Sequence, residues 1–71
     1  MPIVKTFLKT ITIKNKYSYR LLRVDADKDT WFEADPISKG VVRTAESEKI
    51  LNIILENDAM NMMRQEQARV R

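Results

Sequence analysis

The sequence predicts an α+β domain, an antiparallel β-meander of three to four strands followed by one long C-terminal α-helix packed on one face. Three observations predict it. Seven of the eleven residues from Ile3 to Ile13 are β-branched, which fits a pleated strand and loses rotamer freedom in a helix. Turn-forming residues recur at Asn15, Asp35-Pro36 and Gly40, a spacing that delimits short strands. Beyond Gly40 the chain holds neither Pro nor Gly, so nothing interrupts a helix there.

Taken in order, Ile3 to Ile13 reads as a first strand whose odd face holds Ile3, Phe7, Ile11 and Ile13, interrupted by Lys5 and Lys9. Inward lysines of this kind mark a strand at or near a sheet edge. Lys14-Asn15-Lys16 makes a turn, since Asn tolerates the left-handed conformation. Tyr17 to Val24 follows as a second strand. Its apolar positions change phase between Leu21 and Leu22, the pattern of a β-bulge or of burial on both faces. The polar run Asp25 to Asp29 connects to a third strand, Thr30 to Ala34, and Gly40 closes a turn before a short fourth, Val41 to Arg43. Thr44 is the expected N-cap of a helix from Ala45, with Glu46 and Glu48 in the first turn where the helix dipole favours anions. Asn57-Asp58 is a point where that helix could break. Residues 1–71 form a single small domain, 1–43 mainly strands and 44–71 helix, with the helix end overhanging the sheet.

A chain of 71 residues builds only a thin core. With no Cys and no His, disulfides and the usual zinc ligands are excluded, so self-association or a partner is the expected source of further stability. The same inventory removes the commonest general base and the commonest thiol nucleophile, and a single Gly forbids a glycine-rich phosphate loop. A non-catalytic protein without cofactors is the expectation. No apolar run reaches the roughly 20 residues of a membrane span, and residues 1–13 lack the apolar core of a secretory signal, which points to a cytoplasmic protein. Asp25, Asp27 and Asp29 imitate the start of a calcium loop, but Thr30 and Pro36 stand where Gly and a bidentate Glu are required, so no metal site is expected.

Charge is segregated along the chain. Residues 1–24 contain six cations and no acid, whereas 25–58 contain nine acids and four cations. On a two-stranded ribbon, Lys5, Lys9, Lys14, Lys16, Arg20 and Arg23 are spaced to meet successive phosphates, and Tyr17 and Tyr19 could stack on bases. Nucleic-acid binding through this basic hairpin is therefore the first functional expectation. The competing expectation is internal, with the cations paired to the acidic middle of the same protein. The helix supplies another candidate, because Ile50, Leu51, Ile53, Ile54 and Leu55 span about 200° of its circumference, more than one sheet face can cover. Ile53, Met60, Met62 and Met63 would then contact a protein partner or a second copy in a homodimer, in the manner of a small inhibitor or adaptor such as phages and mobile elements carry. Arg64, Arg69 and Arg71 suit the negative end of the helix dipole without any ligand.

Overall fold

The computed structural model describes residues 2–69 and has the expected α+β architecture. Four strands, β1 (Ile3–Ile13), β2 (Tyr17–Ala26), β3 (Asp29–Pro36) and β4 (Arg43–Ala45), form one antiparallel sheet in the order β1-β2-β3-β4, and α1 (Glu48–Arg69) follows. Both hairpins turn on residues held at positive φ. Lys14 (57°) and Asn15 (54°) close β1 onto β2, and Asp27 (54°) closes β2 onto β3. That second turn is tighter than expected: Asp25 and Ala26 stay in β2, opposite Thr30 and Asp29, so the polar run is mostly strand and only Asp27-Lys28 is turn.

The phase change read in β2 has its cause in β1. Pairing runs Phe7 with Leu22 and then Lys9 with Leu21, so Leu8 is the extra residue and the bulge lies in the edge strand. One consequence overturns the single odd face expected for β1. Before the bulge, Ile3, Lys5 and Phe7 share a face with Leu22, Val24, Trp31 and Glu33; after it, Lys9, Ile11 and Ile13 share the other face with Tyr17, Tyr19, Leu21 and Ala34. Only the second of these faces is covered by the helix.

The core lies there. Ile13, Tyr17, Tyr19, Leu21 and Ala34 from the sheet meet Leu51, Leu55 and Ala59 from α1, with Ile11, Phe32, Ala45, Met62 and Met63 packed around them. Leu51, Leu55, Ala59 and Met62 recur at steps of four, four and three, which puts one side of the helix on the sheet. The hydroxyls of Tyr17 and Tyr19 are buried without a hydrogen-bond partner. Gly40 (φ 130°) brings the loop after β3 against Tyr19, and a Cβ there would sit 3.0 Å from the Tyr19 hydroxyl.

The helix begins later than the sequence implied. Thr44 belongs to β4, whose register places Ala45 opposite Phe32 and Arg43 opposite Ala34, while Val41 and Val42 lie exposed in the preceding loop. Ser47 is the N-cap: its hydroxyl accepts a hydrogen bond from the Ile50 amide at 3.2 Å and its carbonyl accepts one from Leu51 at 3.1 Å. Ser47→Ala should therefore cost about 1 kcal/mol and Thr44→Ala much less, measured by thermal unfolding. The helix does not break at Asn57-Asp58. Asp58 turns inward, and its carboxylate accepts two bonds from the Arg43 guanidinium, at 2.7 and 3.1 Å, tying mid-helix to β4. Arg71 and the side chain of Arg69 lie outside the described residues.

Candidate docking surface

The residues that suggest a phosphate-binding ribbon are arranged differently in three dimensions. Tyr17 and Tyr19 are 3% and 0% exposed, packed beneath α1, so neither ring has a face to offer a base. Burial pushes both phenols above their ordinary pKa. Most of the cations meet carboxylates. Lys5 Nζ lies 3.3 Å from Glu33, Lys14 Nζ 3.6 Å from Glu56 and Arg23 Nε 3.1 Å from Asp25, while Lys16 and Lys39 both hold Glu66, Lys39 at 2.7 Å. Arg20 lies over the Phe7 ring at 5.5 Å. Among the described residues, Lys9 is the one cation of the hairpin with neither an ion pair nor a ring beneath it. The charge segregation is thus partly neutralised within the fold, through acids of β2 and β3 for Lys5 and Arg23 and through acids of the helix for Lys14 and Lys16.

These contacts fix the helix over the hairpin tip. Glu66 receives two lysines from different loops, and their hydrogen bonds hold its carboxyl well down, at about 2. A carboxyl lowered in the fold stabilises it above the ordinary carboxylate range, and that contribution disappears as pH falls from about 4.5 towards 2. Glu66→Gln should accordingly flatten the acid limb of the stability profile, measured as unfolding midpoint against pH. Glu33 has the opposite sign. The adjacent Asp35 carboxyl, and then burial, raise its pKa despite Lys5, so its ionisation weakens the fold as pH rises through that raised value.

The uncovered face of the sheet is not basic either. Lys5 and Arg20 share it with Glu33, Asp35 and Asp29, placed there by the registers of β2 with β1 and β3. The aspartates of the acidic run do not converge: Asp25 accepts bonds from Thr30 and Arg23, and no cluster of three potential metal ligands occurs among the described residues.

Helix α1 presents the contrasting surface. Ile53 is 63% exposed, Ile50 47% and Met60 49%, all on the side opposite Leu51, Leu55 and Ala59. At 100° per residue, Ile50, Ile53, Asn57, Met60 and Arg64 fall within about 80° of arc. Met62 and Met63, expected in an overhang, are instead half-buried against the core, leaving Met60 as the exposed methionine of the three. The concavities beside α1 are open grooves, one of about 450 Å³ lined by Lys16, Met63, Glu66 and Gln67. No helix among the described residues is long and apolar enough to cross a membrane.

The chain is thus a small two-layer α+β domain, with one sheet face covered and the outer face of its helix bare. No family model, curated protein or solved structure matches it.

Proposed function

We propose that this chain is a small non-catalytic binding protein of the cytoplasm, an inhibitor or adaptor that docks onto other protein through the outer face of α1. One observation carries this reading: Ile50, Ile53 and Met60 form an exposed apolar stripe on a domain whose core holds few large side chains. Exposing such side chains together forgoes burial worth about 1.5–3 kcal/mol each, which docking would recover. An apolar fluorescent dye should bind the folded chain at neutral pH and lose its signal when Ile53 and Met60 are both replaced by Asp. Undiminished dye binding in that variant would overturn the reading.

Nucleic-acid binding through the hairpin is the competing reading. It retains the exposed cations Lys9 and Arg20, but the ion pairs of Lys5, Lys14, Lys16 and Arg23 and the burial of both tyrosines count against it. Titration with duplex and single-stranded nucleic acid at two salt concentrations separates the two. The docking reading expects no salt-dependent binding, whereas affinity falling steeply with salt would restore the ribbon.

A further inference from the structure

We infer that β1 carries a second docking site: its free edge, together with the groove between it and the start of α1, takes an extended acidic peptide of another protein as a fifth strand. β1 ends the sheet order, so one of its edges is paired with β2, and among the described residues no strand lies along the other. After the bulge at Leu8, the residues Lys9 to Ile13 pair with Leu21 to Tyr17 without interruption, a regular run with one edge open. Every second residue of such a run turns its N–H and C=O outward, and an added strand is the partner that satisfies them in series. This surface is separate from the outer face of α1 and does not depend on it.

The side chains beside that edge select the peptide. On the face turned to the helix the run presents Lys9 and then Ile11. A groove of about 290 Å³ opens there between β1 and the first turns of α1, lined by the apolar Ile11, Leu21 and Leu51 and by Lys9 and Lys49. Neither lysine makes an ion pair among the described residues, and the positive end of the α1 dipole adds to their field. Glu48 is the one acid lining the groove, against those two cations. A strand laid along β1 sets the residues opposite Lys9 and Ile11 two positions apart on one face. The fitting sequence therefore has a carboxylate at the first, beside Lys9, and an apolar side chain at the second, over the half-buried Ile11. The same charge excludes the second copy of β1 that an open edge would otherwise attract. β1 holds Lys5 and Lys9 and no acid, so self-pairing brings cations against cations, while an acidic strand is admitted.

The probe is a fluorescent peptide of alternating residues, Thr-Glu-Thr-Val-Thr-Glu-Thr with both ends blocked, titrated into the full chain and read by anisotropy. It should bind the wild-type chain. Lys9→Glu changes an exposed side chain and should leave the melting temperature in place, yet weaken binding at least about tenfold, and a peptide with Lys in place of Glu should show the reverse preference. N-methylation distinguishes a paired strand from a peptide held by its side chains alone. Methylating the Val amide and a neighbouring Thr amide, in separate peptides, should abolish binding in one and preserve it in the other, since alternate amides point towards β1 and away from it. No binding at millimolar peptide, binding indifferent to Lys9→Glu, or the same response to both methylations would overturn the inference. The Ile53→Asp, Met60→Asp variant should bind the peptide as the wild-type chain does; loss of binding there would assign the peptide to the outer face of α1 and overturn the edge as its site.

Discussion

Leu55→Ala should lower the unfolding free energy by about 3 kcal/mol. Leu55 is 0% exposed and sits mid-helix between Leu51 and Ala59, in one buried cluster with Tyr19, Leu21 and Ala34 of the sheet. Truncation leaves a cavity with little chance of collapse, because its walls come from a sheet pinned by two tight turns and a helix pinned by Arg43–Asp58 and Lys16–Glu66. A domain of this size has about 4–10 kcal/mol to lose. The melting temperature should therefore fall by roughly 15 °C, at about 4–8 °C per kcal/mol. A fall of only a degree or two would mean that α1 does not pack on the sheet as described.

The double substitution Ile53→Asp with Met60→Asp should have the reverse profile. Both side chains face outward, 63% and 49% exposed, so the folded monomer loses little: about 0.5 kcal/mol per site from helix propensity. Docking on the outer face of α1, by contrast, would have to desolvate two carboxylates, and binding of an apolar dye to that face should be lost. A variant that unfolds would place these residues in the core. Circular dichroism and thermal melting, run beside the dye measurement, keep the two possibilities apart.

Much of the fold was legible in the sequence for local reasons. β-Branched residues at the N-terminus, Asn15 in a turn that needs positive φ, and the absence of Gly or Pro beyond residue 40 are signals that no tertiary contact has to interpret. The errors arise where long-range pairing decides. Thr44 and Ser47 are both competent caps in isolation, and what takes Thr44 out of the contest is the pairing of residues 43–45 with β3, which draws it into a strand. Asn57-Asp58 resembles a helix break until Arg43 is brought across to hold Asp58.

The candidate site was legible in half. Ile53 and Met60 are exposed, as a surplus of apolar residues around the helix implied, because the sheet can cover only one side of it. The hairpin was harder, since a run of cations along the chain says nothing about which carboxylates fold back upon it. Glu56 and Glu66 are 42 and 50 residues from the lysines they meet. The bulge at Leu8 compounds this. It moves Ile3, Lys5 and Phe7 to the uncovered face and leaves Lys9, Ile11 and Ile13 on the face that carries both tyrosines, with Lys9 exposed at its margin. A change of phase is visible in the sequence of β2, but which strand carries the extra residue depends on the pairing itself.

Whether the outer face of α1 is a docking surface is tested most directly by titrating an apolar fluorescent dye into the wild-type chain and into the Ile53→Asp, Met60→Asp variant. The predicted result is dye bound to the folded wild-type chain and no signal from the equally folded Ile53→Asp, Met60→Asp variant. A wild-type chain that binds no dye, or a folded variant that binds it undiminished, would contradict that reading.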